Sequence, residues 1–298
     1  MSRRQFSWTQ KQFDKLSAVQ KVLEELHNYK PLTLRQIYYQ LVSKEIIENK
    51  VSEYTMLSKL LKQARIDDYV PWEDIEDRTR IFHDSSGYAD KNEYVETQLH
   101  YFLNSYKRDL LQSQNNYIEV WIEKDALSSL FTRACSPYCV STIVCKGFSS
   151  VSFLNDFRTR LMFHTDKQPV MLYFGDFDPS GVEMLEAMKT TLQEELNVID
   201  VDFKRVALLR GDIFEYKLPH NPSALKTSDT RAKKHLAHYG ELAVELDSLP
   251  PDILQQKIKN AIEEELDITA FNQEVERYYN EVDLLNELKE KVRRAIDI

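Results

Sequence analysis

The chain has 298 residues, 42% of them hydrophobic and 29% charged, which is the balance of a globular protein large enough for two domains. No apolar run reaches membrane-spanning length, and MSRRQFSWTQ has two arginines with no apolar stretch behind them, so neither a membrane span nor a secretory leader is expected. The net charge of −9 disfavours a nucleic-acid partner only on average: residues 204–234 hold eight Lys/Arg against three Asp/Glu, whereas residues 241–298 hold seven against fifteen. This distribution predicts a confined binding surface.

The first 108 residues read as mainly helical. FDKLSAVQKVLEEL repeats its apolar residues at helical spacing. After Pro31, Thr33 is placed to cap a helix carrying Leu34, Ile37, Tyr38 and Leu41. A polar turn is expected over 48–52, then a second helix through Met56, Leu57, Leu60 and Leu61 to about Ile66. The pair has the form of a helix-turn-helix unit, and Pro71 and Trp72 open an irregular stretch suited to a wing.

Between 115 and 250 the pattern changes. YIEVWIE, CVSTIVCKG and PVMLYFGDFD are short, β-rich apolar runs, separated and followed by the helical patterns ALSSLFTRA, SVSFLNDFRTRLM and GVEMLEAMKTTLQEEL, with DFKRVAL as a further strand. Such alternation predicts an α/β fold whose parallel sheet is covered on both faces. From 251 to 298 the chain reads as a charged, helical C-terminal extension. Cys135, Cys139 and Cys145 lack zinc-site spacing and read as reduced thiols of a cytoplasmic protein.

Three acids stand at the carboxyl ends of expected strands: Glu123 after the first, Asp176 and Asp178 after the third. Ligands of open parallel sheets collect at that edge. Asp176 and Asp178, two apart on extended chain, are expected to point the same way. Carboxylates gathered there repel one another unless a hard cation such as Mg²⁺ intervenes. The alternative is three unrelated acids at helix starts, where Asp125 or Ser180 could also serve as caps. DFDPSG also imitates an EF-hand opening, but its twelfth position is Ala187 rather than Glu. A dehalogenase-type D-x-D phosphatase site would leave Glu123 and Lys146 unexplained.

VWIEKDAL (120–127), CKGFSS (145–150) and YFGDFDPSGVEM (173–184) resemble the three successive motifs of a Toprim domain. They are most similar to the version in the topoisomerase VI A subunit and the meiotic double-strand-break protein. VELDSL (244–249) resembles the segment that closes the Toprim region there. The resemblance implies a Rossmann-like Toprim domain over 115–250, preceded by a winged-helix DNA-binding region over 1–108. It implies that Glu123, Asp176 and Asp178 hold Mg²⁺, with Mn²⁺ able to substitute, and that Lys146 contacts the DNA backbone. Arg35-Gln-Ile-Tyr38-Tyr39 is similar to the family's nucleophile context, which makes Tyr39 the nucleophile and Arg35 its transition-state partner.

The expected activity is Mg²⁺-dependent DNA strand cleavage by a homodimer, by tyrosine transesterification or, alternatively, by hydrolysis that does not use Tyr39. A non-catalytic DNA-binding module is the third reading. No P-loop pattern is present, so strand passage would need a separate ATPase. Lys226, Arg231, Lys233 and Lys234 are candidate DNA contacts, and His220, His235 and His238 are expected on the surface.

Overall fold

The computed structural model describes residues 6–76, 87–145, 147, 150–221, 225 and 230–295. Three helices build an N-terminal unit: α1 (Gln10–Glu25), α2 (Leu34–Ser43) and α3 (Val51–Ile66). Thr9 and Thr33 start the first two through capping boxes with Gln12 and Gln36, which satisfy otherwise orphaned backbone donors. Leu16, Val19 and Leu23 of α1, Ile37 and Leu41 of α2, and Leu57, Leu60 and Ala64 of α3 recur at helical spacing and share one core. Tyr38 joins that core, and its hydroxyl lies 3.2 Å from the Lys50 carbonyl and 3.1 Å from Asn49 Oδ1, tying α2 to the turn before α3. The turn ends sooner than expected, since Val51 and Ser52 already belong to α3. After Pro71 and Trp72, β2 (Ile75–Glu76) pairs in parallel with β1 (Leu32–Thr33). Most of the stretch expected to form the wing, residues 77–86, lies outside the described residues.

Helix α4 (Lys91–Asn104) leads to a four-stranded parallel sheet built from β3 (Asn116–Ile122), β4 (Ser141–Val144), β5 (Gln168–Phe174) and β6 (Asp202–Ala207), in the order β4-β3-β5-β6. Helices α5 (Ser128–Cys135), α6 (Val151–Leu161) and α7 (Pro179–Thr190) connect and cover it. Both faces are dry. Ile118, Val120, Ile122, Leu172 and Phe174 point into one core, and Trp121, Met171 and Tyr173 into the other. Apart from Glu119 and the first residues Asn116 and Gln168, the two central strands are apolar, as a doubly covered sheet requires.

Past the sheet come α8 (Arg210–Glu215), α9 (Thr230–Tyr239), α10 (Pro251–Glu263) and α11 (Ile268–Ala295). Leu254, Ile258 and Ile262 of α10 belong to the first sheet core, so the expected C-terminal extension opens with a structural helix of the sheet unit. Helix α11 is joined to the α4 side by Arg108, whose guanidinium pairs with Glu274 at 2.7 Å and Glu281 at 2.6 Å. No helix among the described residues is long and apolar enough to cross a membrane. All three cysteines are free thiols.

A buried ion pair lies inside the sheet unit. Glu119 is fully buried; it accepts from Arg160 at 2.6 and 3.0 Å, from Trp121 Nε1 at 2.9 Å and from the Tyr117 hydroxyl at 2.6 Å. Arg160→Ala leaves that carboxylate without its countercharge, and removing one partner of a buried pair costs about 3 kcal/mol or more. Urea denaturation should show this loss in full for Arg160→Ala and a smaller one for Glu119→Gln, which leaves no buried charge.

Candidate metal and phosphodiester site

The three acids singled out from the sequence meet at the carboxyl edge of the sheet. Glu123 follows β3 directly, and its N–H donates to Phe174 O at 3.0 Å, which continues the ladder by one residue. One of its oxygens, Oε2, accepts from the Asp176 N–H at 3.0 Å. Asp176 is buried; its Oδ1 accepts from the Leu246 N–H at 2.8 Å and its Oδ2 faces Lys124 Nζ at 2.9 Å. Asp178 caps α7, accepting from the Gly181 N–H at 2.7 Å and the Ser180 hydroxyl at 3.2 Å. The packing here tolerates no side chain at Gly181. A Cβ would fall 2.3 Å from Asp176 O and 3.1 Å from Glu123 Oε2.

Asp176 and Asp178 follow the end of β5 at Phe174, on the segment where Phe177 bridges Val244, and Asp178, with extended backbone, takes the capping role open to Ser180. Among the described residues no three His, Cys, Asp or Glu side chains are arranged to hold a metal ion together. The acid oxygens are engaged by backbone N–H groups and the Lys124 ammonium instead. The donor set still suits Mg²⁺ or Mn²⁺: all are hard oxygens, and one proton site is strained. Burial, reinforced by the neighbouring Asp176 charge, pushes the Glu123 carboxyl up to about 7.

Sequence reasoning missed the residues that shape this edge. Phe177 and Val244 form an isolated antiparallel bridge, Phe177 N–H to Val244 O at 2.8 Å and the reverse at 2.9 Å. It lays residues 244–249 beside the acidic turn and brings Glu245 and Asp247 to the cluster. Lys124 Nζ stands 2.8 Å from Glu245 Oε2, 2.9 Å from Asp176 Oδ2 and 3.8 Å from Asp247 Oδ1. Arg205, in β6, donates to the carbonyls of Gly175 (3.2 Å), Asp176 (2.6 Å), Gly181 (2.9 Å) and Leu208 (3.1 Å) and so fixes the turn from behind. Arg205 and Lys124 carried no signal of their own beyond a basic run and a motif neighbour.

Helix α2 abuts this cluster. Arg35 pairs with Glu245 and sets its Nε 2.5 Å from Asp247 Oδ2, out of line for a hydrogen bond. Its guanidinium is 5.9 Å from the centre of the Tyr39 ring. Tyr39 is only 3% exposed, and burial drives its phenol well above the ordinary tyrosine range, with Asp247 and Asp176 adding to the rise and Arg35 opposing it. The Arg35–Tyr39 pair thus stands next to the acids, but its hydroxyl-bearing ring is packed away.

The candidate DNA contacts are less concentrated. Lys146 and Lys226 lie outside the described residues. Arg231 belongs to α9, with its side chain outside the described part. Lys233 and Lys234 are exposed, and Lys234 lies 3.3 Å from Glu183. His238 is exposed and His220 half-buried, but His235 is not a surface residue. It packs against Phe177 and Tyr239 and sets Nε2 2.7 Å from Leu242 O, because α9 turns that face onto the acidic turn.

The raised Glu123 carboxyl links stability to pH. Its folded value, about 7, exceeds the ordinary 4.5, so the folded state holds a proton that the unfolded chain has lost between those values. The contribution of Glu123 to the stability of metal-free protein is therefore fully present below pH 4.5 and is lost as pH rises through 7, at most about 3 kcal/mol. The proton belongs to the Glu123–Asp176 pair, and Glu123→Gln removes most of the loss. Thermal melts from pH 4.5 to 8 measure this; parallel profiles for both proteins contradict it. No protein-family model matches the chain and no curated protein matches it significantly, so the Toprim resemblance rests on the sequence motifs alone.

Proposed function

We propose that this chain cuts the phosphodiester backbone of DNA with a divalent cation, Mg²⁺ or Mn²⁺, at the Glu123–Asp176–Asp178 edge. The observation that carries the reading is the convergence of these three acids on the first turn of α7, with Arg35 of a helix-turn-helix-like unit reaching the same cluster. The cation, when bound, neutralises a phosphate oxygen and stabilises the charge that develops at phosphorus. Asp176 and Asp178 would hold it, and Gly181 and Arg205 keep their turn in place. Glu123, beside them, would take a proton from an attacking group. The positive surface of α9, with Lys233 and Lys234, guides the duplex.

Two nucleophiles are compatible with this edge. Tyr39 is adjacent, and its attack would leave a protein-linked DNA end, the chemistry of the topoisomerase VI A subunit. Water is the second, and the burial of Tyr39 favours it in the arrangement seen. In either case a homodimer supplies one site per strand, and a separate ATPase would be the partner for strand passage.

Supercoiled-plasmid cleavage with Mg²⁺ or Mn²⁺ tests the proposal. Asp176→Ala should lose at least about 100-fold in rate. Tyr39→Phe should keep cutting and leave free ends if water attacks; loss of cutting, with protein attached to wild-type ends, selects the tyrosine. A wild-type chain that binds duplex DNA and the metal but never nicks it would overturn the reading.

A further inference from the structure

We propose that Arg35, Lys124 and Asn221 form a cradle for one backbone phosphate of DNA, which the carboxylate of Glu245 fills as a built-in substitute. The inference rests on the DNA-cutting reading and assigns a phosphate subsite beside the acidic edge. Three donors from three separate segments converge on this one carboxylate. Lys124 Nζ is 2.8 Å from Oε2, the Arg35 guanidinium contacts the same oxygen, and Asn221 Nδ2 donates to Oε1 at 2.8 Å. Guanidinium, ammonium and amide are the groups that bind phosphate oxygens, and a carboxylate presents two similar anionic oxygens to them.

The position is apt. Lys124 is also 2.9 Å from Asp176 Oδ2, so the cradle lies one ammonium away from the proposed metal ligands, and Arg35 leans over the Tyr39 ring. Electrostatics requires some such exchange. Glu123, Asp176, Asp178, Glu245 and Asp247 make this edge acidic, and a phosphate brought to it unaided is repelled. Displacing Glu245 removes one of those charges and frees two cations for the phosphate. Both cations keep a partner, Arg35 in Asp247 and Lys124 in Asp176, so the segment before Asp247 can give way without stranding them.

Binding of a fluorescein-labelled duplex, measured by anisotropy in EDTA across a salt series, decides this without any cleavage. Glu245→Gln should bind about tenfold more tightly than wild type, with the log–log salt slope steeper by about one phosphate contact. Adding Lys124→Ala should erase the gain. Glu194→Gln, an exposed carboxylate elsewhere, controls for the change in net charge. Glu245→Asp keeps the charge but draws it back from Arg35, and should shift affinity the same way; it decides the matter if the Gln variant does not fold. Folded Glu245 variants that bind no more tightly than Glu194→Gln would overturn the cradle. The two proposals fail separately. Tighter binding without any nicking by the wild type keeps the cradle and loses the nuclease, and nicking with unchanged affinity does the reverse.

Discussion

Negative charge gathered at low solvent exposure is the constraint around which this molecule is organised. Five carboxylates, from Glu123, Asp176, Asp178, Glu245 and Asp247, approach one another at the end of a doubly covered sheet, and the cationic side chains on their oxygens are Lys124 and Arg35. The imbalance is visible in the Glu123 carboxyl, which burial and its neighbours hold near neutrality. It is visible again in Asp247, fully buried yet without an aligned hydrogen-bond donor on either oxygen among the described residues. A purely structural cluster gains little from such an arrangement, because well-packed apolar residues would be at least as stable. A site that receives a cation, and through it a phosphate, gains its chemistry from the same imbalance.

The rest of the fold keeps the charges together. β3 and β5 lie side by side at the centre of the sheet and deliver Glu123 and the 175–178 turn to one edge. Arg205 uses its buried guanidinium on backbone carbonyls and leaves the acid oxygens to backbone N–H groups and Lys124. The N-terminal unit is held against this edge by Arg35, and also by Arg133, which donates to the carbonyls of Tyr29 and Lys30 at 3.0 and 3.1 Å. Tyr39 is buried in the core of the N-terminal unit, beside Tyr38.

Much of this was legible in the sequence. Apolar runs with β-branched residues marked the strands, three- and four-residue spacing marked the helices, and Thr33 marked its own cap. The acids at the strand ends were found for the right reason, the geometry of open parallel sheets. Asp178 caps α7, a role that the sequence left open as the alternative for these acids. Two hydrogen bonds between Phe177 and Val244 join positions 67 residues apart, and no local pattern announces such a pairing. Glu245 and Asp247 lie in the VELDSL segment that the resemblance tied to this region, but their place beside the acids, like the burial of His235, follows from this pairing.

Manganese binding tests the central claim most directly. Mn²⁺ titrated into metal-free protein and followed by electron paramagnetic resonance should show tight, stoichiometric uptake that Mg²⁺ competes away. Uptake should weaken sharply in Asp176→Asn and, in the wild type, as pH falls below 7, where Glu123 gains its proton. A wild-type protein that takes up no Mn²⁺, or one whose uptake ignores Asp176→Asn, would contradict the account.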